Sequence, residues 1–344
     1  MKILIVGLGS IGQRHARSLR RLLGTDAELI AFRQRKAALE ITDTLEARPT
    51  EDLEAIYGIT SYHSLDQALA QRPVATLVCT PNHLHMPVAL AAAKAGSHLF
   101  IEKPVSHTLA GLDALEEEVD QRGLSCLVGY HLRFHPGLQK LQELRLAGAF
   151  GQILSCSFDF GEHMPFWHRY EDYAETFMAR EEEGGGVVMT QIHDIDAIFS
   201  LFGRPERVYA TGGRSGTLRM DAEDHATAVL DYELPSGSFS VVLNQDCLRY
   251  PPVRKYSIRG TKGCAEWDYY RNVVTLTEFD QAARVVYSDD ALERSSLFLT
   301  EMEHFLNCIE GREHPVVPLS EGVESLRIAL TVKQSLKERK CLSI

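Results

Sequence analysis

Long apolar runs are missing from this sequence: nowhere in its 344 residues do the roughly 20 consecutive apolar side chains of a bilayer-spanning helix occur. An excess of positive charge is missing too. With 36 lysines and arginines against 47 aspartates and glutamates, the net charge of -11 repels phosphate backbones and anionic lipid, so neither a nucleic-acid nor a membrane partner is expected. The seven cysteines never form a CxxC pair and the 14 histidines show no HExxH spacing, which speaks against a disulfide framework and against a metal site. The opening MKILIVGLGS runs straight into glycines, without the charged n-region and cleavage site of a signal peptide, and a cytoplasmic location is expected. Repeats and low-complexity tracts are likewise lacking.

What is present is an ordinary globular composition, 44% hydrophobic and 24% charged, in a chain long enough for two domains. Up to about residue 125, short apolar runs (KILIV, AELIAF, VATLVCT, HLFIE, LSCLVG) alternate with amphipathic segments near 11–23, 84–95 and 108–122. Strands alternating with helices predict a doubly wound parallel sheet of Rossmann type over 1–125. Beyond about 150, the runs ILSCSFDF, RVYATGG, HATAVLDYE, SFSVVLNQ, KYSIRG and VVTLTEF follow one another with only turns between them. They predict an α+β domain over 126–344 with a large, open, mostly antiparallel sheet. Helices are expected near 134–147, 187–202, 297–310 and 321–338. An apolar face on strands such as SFSVVLNQ and HATAVLDYE predicts a homodimer or homotetramer formed through this sheet.

GLGSIG follows the first strand directly and opens a helix, the context in which a GxGxxG pattern binds a dinucleotide. Gly7 permits the tight turn, Gly9 lets backbone approach a pyrophosphate, Gly12 allows close helix–strand packing, and Ser10 and Ile11 begin the helix whose N-terminus faces the phosphates. After the second strand, where an NAD-selective site carries an acidic residue, the sequence reads AFRQRK. Arg33, Arg35 and Lys36 suit a 2'-phosphate, so NADP(H) is slightly favoured and NAD(H) remains open.

Three further motifs align with these: TPNHLH (80–85), EKP (102–104) and GYHLRFHP (129–136), each after an apolar run. Together with GLGSIG and GGGVVMTQIHDID (184–196) they resemble the glucose–fructose oxidoreductase, inositol dehydrogenase and MocA-like (Gfo/Idh/MocA) family over nearly the whole chain. The resemblance implies hydride transfer between a nicotinamide and a hydroxyl or keto group of a sugar, polyol or nucleotide sugar. It implies that Lys103 lies beside the nicotinamide and the reacting oxygen, and that His193 serves as general acid/base. Thr80, Pro81, Asn82, His85 and Glu102 are implied on the cofactor side, and Tyr130, His131 and Arg133 near the substrate; Thr190, and Asp196 three residues after His193 on the same helical face, are expected to reach the substrate as well. Trp167, in the aromatic and acidic segment 163–186, offers a stacking face for a sugar ring.

The sequence departs from the family at one place. Many relatives carry an aspartate one helical turn before the histidine, where this chain has Met189 and Thr190. That departure makes a cofactor-bound regulator or binding protein without turnover worth carrying, and a further reading is an enzyme that retains its cofactor for a hydrolysis or isomerisation with no net redox.

Overall fold

A computed structural model describes residues 1–33, 39–50, 52–235 and 237–344. They form two compact units, Met1–His131 with Arg294–Val323, and Leu132–Glu293 with Glu324–Ile344.

The first unit begins β1 (Lys2–Val6), α1 (Ser10–Leu23), β2 (Glu28–Phe32), then a short hairpin of β3 (Leu39–Ile41) and β4 (Ala47–Pro49). It continues α2 (Leu53–Tyr57), β5 (Ile59–Tyr62), α3 (Leu65–Leu69), β6 (Ala75–Val78), α4 (His85–Lys94), β7 (His98–Glu102), α5 (Leu112–Arg122) and β8 (Cys126–Gly129). The six long strands lie parallel in the order β5-β2-β1-β6-β7-β8. Strands such as ATLV and CLVG are buried at every residue, as expected when helices cover both faces. The order reverses between β1 and β6, and ligands of such sheets bind at the carboxyl ends of the strands beside that point.

The hairpin β3–β4 was not legible from periodicity, because polar side chains of α1 hold it. Gln13 donates to Leu39 O and accepts from Ile41 N, and Arg17 pairs with Asp43 and donates to Ile41 O. Helix α9 (Arg294–Ile309) also returns to this unit and packs on α1. Val128 N donates to Val317 O. The division expected at residue 125 therefore differs from that of the contacts: β8 completes the parallel sheet, and 294–323 join it from the far end of the chain.

In the second unit, α6 (Pro136–Leu146), α7 (Val187–Thr190) and α8 (His193–Phe202) pack on a nine-stranded sheet. Its strands are β9 (Ile153–Gly161), β10 (Arg207–Gly213), β11 (His225–Leu234), β12 (Gly237–Asp246), β13 (Val253–Gly260), β14 (Gly263–Asp268), β15 (Val273–Glu278), β16 (Arg284–Ser288) and β17 (Leu342–Ser343). They run β16-β15-β14-β13-β9-β12-β11-β10-β17, antiparallel except for β9 beside β12. Helix α10 (Leu319–Glu338) supplies Ser335, whose hydroxyl accepts from Ala210 N. Among the described residues no helix is long and apolar enough to cross a membrane.

The alternation in β11 and β12 sends Ala226, Ala228, Leu230, Tyr232, Phe239, Val241 and Leu243 into the core. The opposite face carries Thr227, Asp231, Ser240 and Asn244, tied by Thr227–Asn244, Asn244–Asp159 and Ser240–Asp231 hydrogen bonds. Its apolar content on these two strands is the Val229–Val242 pair. The apolar face on which a homodimer or homotetramer was expected is thus the inward one, already covered by the unit's own helices.

His135 caps α6 by accepting the Gly137 N–H on Nδ1 at 3.0 Å, and its ring packs on Trp267 and Tyr269. Accepting requires an unprotonated nitrogen, and burial, aided by the Arg254 charge, pulls its pKa down to about 4. An ordinary histidine in the unfolded chain titrates near 6.5, so below that pH the unfolded state takes up a proton that the folded state refuses. Stability is expected to fall as pH drops from about 6.5 to 4, by about 3 kcal/mol. His135→Asn keeps a capping acceptor without the titration, so denaturant unfolding at several pH values should show a flatter profile over this window; parallel profiles would contradict the assignment.

Candidate active site

At the β1–α1 turn, Gly7 adopts φ +95°, and a Cβ there would lie 2.6 Å from Cys79 O. A Cβ on Gly12 would lie 1.9 Å from Gly7 O. The helix can cross this close only with glycine at both positions. At Gly9, by contrast, a Cβ would meet nothing within 4 Å, so the backbone faces open space. Gly9 caps α1 without a side-chain bond to the first N–H groups, and no acidic residue stands in the first turn. Open amide donors, the positive end of a 14-residue helix and a bare backbone together fit a pyrophosphate. Ser10 and Ile11 are both half-buried at the same end.

Arg33 follows β2 and pairs with Glu54 at 2.5 Å, while Glu54 also accepts from Ser61. The other terminal nitrogen of Arg33, Nη1, has no hydrogen-bond partner among the described residues. Arg35 and Lys36 lie outside the described residues.

Thr80 and Pro81 are half-buried just past β6, and the Thr80 hydroxyl has no partner among the described residues; Asn82 is buried. His85 was expected to face the cofactor. It is 1% exposed, with Nδ1 2.8 Å from Pro104 O and Nε2 2.7 Å from Thr80 O, so its ring joins the two turns. Burial, the largest influence, lowers its pKa, against the pull of those two carbonyls.

Glu102 is also turned inward. Its Oε1 lies 2.6 Å from His15 Nε2 on α1, and its Oε2 accepts the Lys103 N–H. The side chain that remains half-exposed at the end of β7 is Lys103. Tyr130 is fully buried, and the His131 ring stacks on Phe298 at 4.4 Å.

In the second unit, Gly186 (φ +96°) begins α7. Glu223 accepts from Val188 N and pairs with Lys333, which also donates to Gly185 O. A Cβ on Gly186 would fall 2.3 Å from that carboxylate. The helix expected over 187–202 breaks at Gln191, which lets α8 start afresh with the buried His193 in its first turn. Thr190 donates to Gly186 O, one turn back, and so bonds its own helix.

Behind His193 lie two buried carboxylates. Asp194 accepts from Tyr256 OH at 2.6 Å, Arg254 Nε at 3.1 Å and Gln245 Nε2 at 3.1 Å. Arg254 also donates to Gln191 Oε1 and lies over the Phe160 and Tyr269 rings. Asp196 receives a two-pronged bond from Arg133 (2.7 and 2.9 Å) and one from Ser325. Arg133 and Asp196, both expected near the substrate, therefore satisfy each other, because a fully buried carboxylate requires a cation.

Trp167 is half-buried, and its Nε1 has no partner among the described residues. The neighbouring donors of this segment are engaged locally, as in His168–Glu171 and Arg219–Asp172.

Sequence reasoning missed His15, Arg254, Gln245, Glu223 and Lys333. One signal was available: in VRKYSIRG, Arg254 falls on the same alternate face as Tyr256 and Ile258, and an arginine in a core register needs a buried acceptor. Among the described residues no group of three His, Cys, Asp or Glu side chains could hold a metal ion.

Fold and motif define an oxidoreductase with a dinucleotide-binding domain, and comparison with known proteins supplies its kinship. The oxidoreductase family with an NAD-binding Rossmann fold matches residues 1–130, and the GFO/IDH/MocA C-terminal domain matches 138–266. The chain belongs to the Gfo/Idh/MocA oxidoreductase family. It is 28% identical to a myo-inositol 2-dehydrogenase of Thermotoga maritima, covering 100% of this chain and 98% of that one. A D-xylose 1-dehydrogenase (NADP(+)) of Haloferax volcanii is 26% identical over 96% of both chains. The crystal structure of the WlbA dehydrogenase from Bordetella pertussis, in complex with NADH and UDP-GlcNAcA, superposes with a TM-score of 0.80 at 22% identity, covering 100% of this chain and 97% of that one.

The Asp194 cluster should dominate the stability of the second unit. Removing its carboxylate strands the buried Arg254 charge, so Asp194→Ala is expected to cost about 3–5 kcal/mol in chemical unfolding. Arg207→Ala, which breaks an exposed pair with Glu233, is expected to cost about 1 kcal/mol or less. Equal losses in the two variants would refute this ranking.

Proposed function

We propose that this protein transfers hydride between a nicotinamide cofactor and a hydroxyl or keto group of a sugar, polyol or nucleotide sugar. The observation that carries the proposal is the placement of three motif turns. Gly7, Thr80 and Lys103 follow β1, β6 and β7, which are neighbours in a parallel sheet, so all three stand at its carboxyl edge beside the reversal in strand order.

The nicotinamide, when bound, supplies the hydride chemistry, and the chain's own groups handle binding and the proton. The pyrophosphate is held by the amides that open α1 and by the bare backbone of Gly9. Lys103 places an ammonium near the reacting oxygen, polarising a carbonyl or stabilising a developing alkoxide. His193 exchanges the proton of that oxygen as general acid/base. Thr190, whose hydroxyl bonds Gly186 O, cannot carry the charge of the aspartate found in many relatives, so the proton work falls to Lys103 and His193. Arg133 and Asp196 serve as a positioning pair for α8, and Trp167 offers the stacking face for a sugar ring.

The half-used guanidinium of Arg33 supports a preference for NADP(H). Its Nη1 is buried and without a partner among the described residues, a donor that a bound 2'-phosphate would satisfy. Among the relatives, the Haloferax volcanii enzyme is named for NADP(+).

Turnover is expected with members of a panel including myo-inositol and D-xylose, followed by the near-ultraviolet absorbance of reduced nicotinamide. Against the best substrate found, Lys103→Ala and His193→Ala should each lower kcat by about 10²–10⁴-fold with the affinity for cofactor nearly unchanged. Unchanged turnover in either variant would remove that residue from the mechanism.

A further inference from the structure

Glu301 is an anomaly in the first unit. It lies on α9, is fully buried, and neither of its carboxylate oxygens has a hydrogen-bond partner among the described residues. Buried polar groups are almost always satisfied, so an orphaned pair of oxygens calls for a proton, a water molecule or both. A second orphan lies in the same neighbourhood. His15 is fully buried on α1, which packs against α9, and its Nδ1 also lacks a partner.

The surrounding rings locate these groups. The His15 ring packs against Phe100 at 4.7 Å and Phe298 at 6.2 Å, and Phe100 packs against Phe305 at 5.5 Å. Phe298 and Phe305 lie three residues before and four after Glu301, on one helix face. Glu301 therefore shares a face of α9 with Phe298, which packs on His15, and Phe305, which packs on Phe100. Glu102, hydrogen-bonded to the other nitrogen of His15, acts electrostatically on Glu301, and burial with that like charge raises the Glu301 pKa.

We propose that Glu301 is a neutral carboxylic acid and that it and His15 Nδ1 hold one buried water molecule behind the EKP turn. The Glu301 hydroxyl, both nitrogens of His15 and both oxygens of Glu102 then find partners. The Glu301 hydroxyl donates to the water, the water donates to His15 Nδ1, His15 Nε2–H donates to Glu102 Oε1, and Lys103 N–H donates to Glu102 Oε2. The chain makes Glu301 a positioning residue for the turn that carries Lys103. The consequence for catalysis rests on the role proposed above for that lysine, whereas the water site and the proton do not.

The test compares wild type with Glu301→Gln in the full chain, without substrate. Infrared difference spectra at neutral pH should contain the C=O stretch of a protonated carboxylic acid that the variant lacks. Stability supplies a second readout with a definite sign. A carboxyl whose folded pKa is raised stabilises fully below its unfolded pKa and loses that contribution as pH rises toward the folded value. Glu301→Gln removes this loss, so the folding equilibrium constant of the variant relative to wild type should rise by about tenfold per pH unit above roughly pH 5. No acid band, or a pH-independent difference, would overturn the proposal. Should Glu301→Gln fail to fold, a wild-type crystal structure that resolves waters decides the matter: density bridging Glu301 and His15 Nδ1 supports the site, and its absence overturns it. None of these readouts depends on turnover, so their outcome is separable from that of Lys103→Ala.

Discussion

The first unit depends on one close approach, that of helix α1 to the turn that precedes it. Glycine at positions 7 and 12 allows a crossing that no side chain would permit, and from that seat α1 organises its surroundings. Gln13 and Arg17 fix the hairpin β3–β4, His15 reaches Glu102, and Arg14 lies over Phe298 of α9. The same crossing aims the free amides of the helix N-terminus outward. A packing constraint and a binding function thus share one cause, and the polar residues that follow the glycines convert the position of α1 into the position of the EKP turn.

The second unit is organised around charge rather than close backbone approach. Asp194 and Asp196 are both fully buried in the first turn of α8, and each is neutralised by an arginine from a different element, Arg254 from β13 and Arg133 from the segment before α6. Burying ions costs more than their attraction returns unless every lone pair is used, and here Tyr256, Gln245 and Ser325 complete the sets. Such an arrangement contributes specificity of orientation: α8 cannot rotate without breaking both pairs, so His193, between them and the break at Gln191, is held in one place.

Much of this was legible in the sequence, for physical reasons. The parallel sheet and its glycine turn are local patterns, fixed by alternation and by positions that only glycine tolerates. The antiparallel sheet was visible in the period of two along β11, β12 and β13. What escaped was long-range pairing. The hairpin β3–β4 has too few apolar residues to announce itself and exists because Gln13 and Arg17 hold it. The return of 294–323 to the first unit, the inward rotation of His85 and Glu102, and the mutual satisfaction of Arg133 and Asp196 all join residues far apart in the chain. SFSVVLNQ contains valines and a leucine and so promises an apolar face; the register sends Val241 and Leu243 inward and leaves serine, asparagine and Val242 on the other side.

The central claim, that the β1–α1 turn seats a nicotinamide dinucleotide, is tested most directly by titrating NADPH and NADH into the stripped protein and into Gly9→Val, following nicotinamide fluorescence. Valine at this position keeps the fold, since a Cβ there meets nothing, but fills the space that the pyrophosphate requires. The account predicts saturable binding of both cofactors to wild type, tighter for NADPH, with a loss of about 100-fold or more in a variant that unfolds at the same temperature. Unaltered affinity in Gly9→Val, or no saturable binding to the wild-type protein, would contradict it.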